Sequence, residues 1–245
     1  PSLYHLHEIP TGNKLYEFFS GKIINSYSSK VLTVSNSVKK HWLKYIDDKK
    51  IERIYNGIIF SKPNSLIKLE RDQDDFVITS VARLIPYKGH GYLIDVANEL
   101  VKKSNKLKFL IVGDTLPSYA AYEKSVKQKG KNLGLEHQMK FLGFRNDVSS
   151  ILKQSDLFIH PAIAPDPLPT VLFESLHNDL PSVATNLGGA IEILDNGNNG
   201  LLIPYNDPIK SANLIYEYCT NNKLQKKHLK KSKKDFKKNF SSESF

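Results

Sequence analysis

Short apolar runs alternate with longer stretches of helical periodicity over most of this chain. The runs at 76–81, 107–113, 139–143, 156–160, 182–185 and 200–204 carry few polar interruptions. Runs of that length and make-up predict strands buried on both faces. Between them, apolar positions at helical spacing predict helices over 91–103, 119–133 and 147–154, and a further one from Thr170. Strands and helices alternating in this way predict an α/β fold with a parallel, doubly wound sheet. Ligands bind such sheets outside the carboxyl ends of the strands, where Arg83, Gly113, Gly143, His160 and Thr185 fall.

The pattern before Phe76 is less regular. A short buried strand is predicted at 30–34. A helix over 35–46 follows, capped at Ser35, with Val38, Trp42 and Leu43 on one face. Residues 53–57 predict a strand ending in the Asn56-Gly57 turn. Ile23-Ile24 and Val31-Leu32 are expected to be strands without partners, the remnant of an incomplete unit. Residues 60–75 lack periodicity. The expected organisation is a partial first domain over 1–58, a linker over 59–72, the doubly wound domain over 73–222 and a lysine-rich helix or tail over 223–245.

Composition narrows the class. Hydrophobic residues make up 40% of the 245 positions, enough for a sizeable core. No apolar run approaches the ~18 residues that span a bilayer, and no signal-peptide pattern opens the chain. A single cysteine, Cys219, precludes an internal disulfide and a cysteine-based zinc cluster. The expected location is therefore cytoplasmic. The start at Pro1 and the end at Phe245 are read as those of a piece of a longer protein.

The net charge of +10 favours phosphates or an anionic membrane surface as partners. It concentrates between Lys223 and Lys238, where nine lysines face one acid, Asp235. Leu224, His228, Leu229, Phe236 and Phe240 form a weak apolar stripe there, so a basic amphipathic helix lying on anionic lipid is one expectation; a solvated lysine-rich helix is the other. Nucleic acid is not expected, because the lysines lack interleaved stacking aromatics.

The richest chemistry lies between His160 and Leu176. A strand ends at His160, a proline-punctuated loop follows, and a helix begins near Thr170. Asp166 and Glu174 flank the loop with seven residues between them. A helix N-terminus offers free N–H groups and a favourable dipole to an anionic ligand, and carboxylates accept from sugar hydroxyls. A second constellation, Arg83 and Lys88, sits on the loop after the strand at 76–81, where both cations can reach a diphosphate. A third, Tyr4-His5-Leu6-His7-Glu8, has two histidines but no third-ligand pattern, so no metal is expected. No nucleophile elbow, Walker A loop or complete dinucleotide fingerprint occurs, and Glu192 near the Asn196–Gly200 turn cluster is read as structural.

These motifs resemble, in order, those of the retaining GT-B glycosyltransferases of family 4, the glycosyl transferases group 1. Asp166 to Glu174 resembles the family's E-x7-E motif, and 180–189 (LPSVATNLGG) is similar to its LPVVATDVGG segment. The stretch from Ser80 to Gly89 resembles VGRL-x-x-x-KG. The resemblance implies a GT-B fold of two Rossmann-like domains, with this chain carrying the donor-binding domain and the end of the acceptor-side one. It implies that Arg83 and Lys88 bind the donor diphosphate and stabilise the leaving group. It places Glu174 on the donor ribose and Asp166 near the transferred sugar, with Leu168, Pro169 and Thr170 along the donor. His7, with His5 as its rival, matches the histidine that faces the cleft from the first domain. Phe144, beside the F-x-G-like Phe141-Leu142-Gly143, is placed near the nucleotide base. Val34–Val38 and Tyr55–Ile58 resemble structural elements at the end of the first domain, with Ile59 where the family often has Asp.

The chain also departs from the family's usual E-G-F-G-L. Asp166 is one methylene shorter than Glu, and Pro167 and Pro169 replace glycines; Pro169 has no N–H, whereas Leu168 and Thr170 keep theirs. The implied function is transfer of a sugar, with retention, from a nucleotide-sugar to a glycan or lipid-linked acceptor in bacterial surface polysaccharide synthesis, with no cofactor or metal. The enzyme is expected at the inner membrane face. A nucleotide-sugar epimerase of the same architecture and a non-catalytic partner subunit are the alternatives.

Overall fold

The structure, a computed structural model, describes residues 2–10, 12–58, 60 and 68–240. Its strands form two parallel sheets. The first has the order β1-β2-β3, from β1 (Ser2–Leu6), β2 (Ser28–Thr33) and β3 (Ile51–Arg53). Helix α1 (Lys14–Tyr27) connects β1 to β2, and α2 (Asn36–Trp42) connects β2 to β3.

The second sheet has six strands: β4 (Phe76–Val81), β5 (Leu107–Val112), β6 (Met139–Gly143), β7 (Leu157–His160), β8 (Ser182–Thr185) and β9 (Leu201–Ile203). Their order is β6-β5-β4-β7-β8-β9, and each neighbouring pair is parallel. The chain builds outward from β4 to β6, then returns to place β7 on the other side of β4. The crevice between the ends of β4 and β7 is thus the topological switch point, where such sheets bind ligands.

Helices cover both faces: α3 (His90–Val101), α4 (Ala120–Asn132), α5 (Val148–Lys153), α6 (Thr170–His177), α7 (Ala190–Ile193), α8 (Pro208–Thr220) and α9 (Asn222–Asn239). One core joins Ile78, Phe109 and Ile111 of the sheet to Leu93 and Leu100 of α3 and to Ile215 and Tyr218 of α8. A second core joins Phe158 and Ala184 to Leu172 and Phe173 of α6, and continues into Val31, Val38 and Trp42 of the first unit. The two sheets are therefore held together by shared apolar packing, since removing apolar surface from water is the main driving force for such contacts.

Several expectations need correction. Ile23 and Ile24 lie in α1, not in a strand. Their β-branched pair favours a strand locally, but Asn13 caps the helix by accepting from Tyr16 N–H, and Gly21 lets it approach Tyr45, whose Cβ would lie 2.4 Å from an added Cβ. Val31 and Leu32 do have partners: β2 is the central strand, paired with both β1 and β3. The strand expected at 53–57 lies earlier, at Ile51–Arg53. Past Arg53 the chain leaves the sheet; Tyr55 stacks under the Arg53 guanidinium at 3.8 Å and hydrogen-bonds Glu192 instead. The helix expected over 35–46 is regular only to Trp42 and ends in turns.

Helix α9 also departs from the lipid-facing expectation. His228 and Phe240 are buried, and Leu224 and Phe236 pack on the two cores. The Phe240 ring lies 4.6 Å from Phe173 and 4.4 Å from Tyr55. The apolar stripe thus closes the joint between the two sheets and is not open to lipid. Most of the expected linker, including Ile59, lies outside the described residues. Within its described part, Leu69 N–H donates to Gln154 and Arg71 pairs with Asp156 at 2.9 Å.

Candidate active site

Two loops meet at the switch point. The loop after β4 stays beside β5 through Ala82 N–H to Val112 O and Leu84 N–H to Asp114 O. Pro86–Lys88 then forms one tight turn, and Gly89, at φ 76°, starts α3. A side chain at Gly89 would put its Cβ 1.8 Å from Pro161 O, so only glycine lets this loop press against the loop after β7. Ile163 N–H donates to Tyr87 O at 3.0 Å and ties the two together.

This approach brings Lys88 onto Asp166. Lys88 Nζ and Asp166 Oδ2 form an ion pair, with both side chains mostly buried. His160 Nε2 lies 3.5 Å from the same carboxylate oxygen. The Asp166 loop is backed by Gly188 and Gly189: Gly189 N–H donates to Asp166 O at 2.7 Å, and a Cβ at either glycine would fall 2.3 Å from a carbonyl oxygen of Asp166 or Pro167. The glycine pair of the LPSVATNLGG segment thus sets where Asp166 stands.

A cavity of about 380 Å3 opens over these groups. Arg83, Lys88, Asp166 and Leu168 line it from the second unit; His7, Glu8, Val34 and Asn56 line it from the first. His7 stands just past the end of β1, exposed, with the His5 ring 4.1 Å away. Arg83 is exposed. Pro169 and Thr170 continue from Leu168 into the start of α6, where Thr170 is exposed. Among the described residues no backbone acceptor meets the N–H of Leu168 or Thr170. Glu174, one turn further on, has no side-chain partner among the described residues, and burial raises its pKa above the ordinary carboxylate value. Phe144 stands apart: it follows β6, is 76% exposed and does not line the cavity.

Two buried histidines lie beneath. Burial pushes the pKa of His160 down to about 4; Asp166 opposes that shift and Lys88 adds to it. Burial likewise lowers His90 to about 4, with His160 and Lys88 adding to the effect. Both rings are neutral near neutral pH. A larger hollow, about 860 Å3, opens by the starts of β5 and β6; three of its cations, Arg71, Lys108 and Lys140, face Asp156, Asp75 and Glu70, and no expected site residue lines it.

Some of the arrangement was not readable from spacing. The Lys88–Asp166 contact joins residues 78 apart in sequence. Glu192, on α7, reaches across to the first unit. Its two oxygens accept from Asn36 N–H at 2.8 Å and Ser37 N–H at 2.7 Å, and Tyr55 Oη donates to it at 3.0 Å. That tie holds the unit that carries His7 to the unit that carries Arg83, Lys88 and Asp166.

Known proteins resemble this chain over most of its length. The chain is 28% identical over 209 residues to an Escherichia coli UDP-Gal:alpha-D-GlcNAc-diphosphoundecaprenol alpha-1,3-galactosyltransferase, covering 79% of this chain and 51% of that protein. It is 29% identical over 198 residues to an uncharacterized glycosyltransferase of Haemophilus influenzae, covering 80% and 53%. It therefore spans about half the length of the curated relatives it matches. The crystal structure of Anabaena HepE in complex with UDP superposes with a TM-score of 0.85 at 26% identity, over 98% of this chain and 68% of that one. The fold is GT-B. The family model described as Glycosyl transferases group 1 matches residues 61–235, more than half of the chain, and the chain belongs to that family.

Proposed function

We propose that this chain is the donor side of a glycosyltransferase that moves a hexose from a nucleotide-sugar to a glycan or lipid-linked acceptor, with retention of configuration, in surface polysaccharide synthesis. One observation carries the reading: Arg83, Lys88 and Asp166 converge at the switch point on a cavity that His7 closes from the other unit. Two cations beside a carboxylate suit a diphosphate that bears a sugar.

Arg83 and Lys88 stabilise the charge that grows on the departing diphosphate, which is electrostatic catalysis. Glu174 accepts from the ribose hydroxyls. Asp166 and the N–H groups of Leu168 and Thr170 hold the sugar, while Pro169 contributes shape alone. His7 closes the cleft, and Phe144 contributes at most an outer contact to the base. The two cations carry the leaving-group charge in this scheme, so no metal or cofactor is assigned. Retention, and membership of family 4, rest on the resemblance of the Asp166…Glu174 spacing. The HepE complexes with UDP and with UDP-glucose favour uridine as the base. Relatives include the E. coli enzyme named above and a capsular polysaccharide biosynthesis glycosyltransferase of Staphylococcus aureus, which favours a lipid-linked or polymeric acceptor at the inner membrane face.

Calorimetric titration with UDP, GDP and their sugar conjugates tests the reading. One nucleotide should bind, and Arg83→Ala and Glu174→Ala should each weaken it by about tenfold to a hundredfold, the worth of a charge-assisted hydrogen bond. Absence of binding by every nucleotide, in folded protein, overturns it.

A further inference from the structure

We propose that His160 is a positioning residue that takes over the Asp166 carboxylate when the donor diphosphate draws Lys88 away, so that sugar binding becomes contingent on phosphate binding. The inference rests on the donor-site reading above and adds to it an order of events and a residue.

Three groups meet around one oxygen. Asp166 Oδ2 is met by Lys88 Nζ on one side and stands 3.5 Å from His160 Nε2 on the other. That histidine nitrogen is buried and makes no hydrogen bond, since 3.5 Å is a near approach rather than a bond. A buried ring nitrogen without a partner is unfavourable by about 1–3 kcal/mol, so a state in which it finds one is favoured. The neighbouring ring of His90 has both nitrogens buried and unpartnered as well, and offers it no bond.

The three groups differ in freedom to move. His160 ends β7, opposite Ala184 of β8, and is 1% exposed. Asp166 is fixed at its backbone by Gly188 and Gly189, so its carboxylate can rotate but its loop cannot retreat. Lys88 is carried on a one-turn loop by a flexible four-carbon stem. A diphosphate bears more negative charge than one carboxylate, so the ammonium is the group that leaves.

Its departure strands a mostly buried carboxylate, and removing one partner of such a pair is strongly unfavourable, by about 3–5 kcal/mol. A small rotation of Asp166 lets His160 Nε2–H donate to it. The second carboxylate oxygen then faces the cavity and can accept from a sugar hydroxyl. Without the phosphate, Lys88 holds Asp166 through Oδ2 and the carboxylate keeps its resting orientation, not the rotated one that the sugar meets. A phenylalanine at position 160 would fill the same buried space without this function.

Titration of the full-length protein with UDP, UDP-glucose and UDP-galactose tests the scheme. His160→Phe should weaken UDP by about tenfold, because the carboxylate that Lys88 leaves then has no partner, and should weaken whichever UDP-hexose the unaltered protein binds best by at least as much. His160→Gln, whose amide can donate from a similar place, should recover most of that loss. In an Asp166→Asn background, His160→Phe should have little further effect on UDP-hexose affinity, because the group it positions is gone. A merely structural role predicts the same loss in the Asp166→Asn background and no rescue by glutamine, and that result overturns the proposal. So does unchanged UDP-hexose affinity in His160→Phe. If His160→Phe does not fold, the imidazole nitrogen resonances of His160 in the unaltered protein decide: a hydrogen-bond shift on adding UDP supports the relay, and no shift overturns it. Failure of the unaltered protein to bind any UDP species would instead strike the donor-site reading itself.

Discussion

Lys88 and Asp166 neutralise each other in this structure, and that has a consequence for the donor. On the proposed donor-site reading the carboxylate competes with the diphosphate for the ammonium, and its own charge repels the phosphates. Both effects have the same sign. Asp166→Asn should therefore tighten UDP by about threefold to tenfold, the scale of one partly buried charge interaction, while sugar transfer falls. Titration with UDP beside a transfer assay checks it; weaker UDP binding in this variant would mean that Asp166 supports the phosphate site. Glu174 gives a pH prediction. Burial raises its pKa above the ordinary carboxylate value, and on the proposed donor-site reading the ionised form is the one that would accept from two ribose hydroxyls. Acidification should therefore weaken UDP binding, beginning above the pH at which an exposed glutamate protonates, and Glu174→Gln should bind weakly without that dependence. The same raised pKa means that Glu174 destabilises the fold as pH rises through the window between its unfolded and folded values. At this scale the positions of Arg83, Lys88, Asp166 and Glu174 beside the strand ends were legible, because strand-loop-helix spacing locates each one. Their pairings were not, because Lys88 meets Asp166 only once β7 is laid beside β4.

Elements were legible where local pattern and burial coincide. Strands β4 to β9 are short apolar runs, and both faces of their sheet are covered, so periodicity alone identifies them. Ile23 and Ile24 were misread because one is buried and the other 54% exposed, a one-sided helix burial that a two-residue pattern cannot reveal. Helix α2 shows what tertiary contact adds. Ser35 caps it locally through Val38 N–H at 3.1 Å, as its sequence predicts, but the N–H groups of Asn36 and Ser37 are satisfied by Glu192 from the other unit. Glu192→Ala should leave both without that acceptor and lower stability by about 1–2 kcal/mol. Urea unfolding measures this directly. An unchanged midpoint would show that water replaces the carboxylate without loss and that the tie is not what joins the two units.

The whole molecule carries a charge asymmetry that its fold explains. Helix α9 turns Gln225, His228 and Ser232 inward, with Phe240 buried just past its end, and leaves Lys226, Lys230 and Lys234, spaced four apart, on its exposed side. The lysines were plain in the sequence; that the apolar stripe belongs to the joint with Tyr55 and Phe173 was not, since those partners come from residues far upstream. The fold thereby selects between two modes of membrane contact. Insertion of the stripe into lipid would require α9 to leave the core that it completes. Electrostatic contact through the lysine face requires no rearrangement, and each lysine near an anionic surface adds about 1 kcal/mol. Binding to vesicles containing anionic phospholipid should therefore occur at low salt and disappear at ~0.5 M salt, where screening is nearly complete within a few ångströms. Triple replacement Lys226→Glu, Lys230→Glu and Lys234→Glu should abolish it, while UDP affinity and unfolding midpoint stay unchanged. Co-sedimentation across a salt series gives the answer: binding that survives high salt would place the contact on an apolar surface elsewhere, and absence of binding at low salt would leave the lysine face with no role at a membrane.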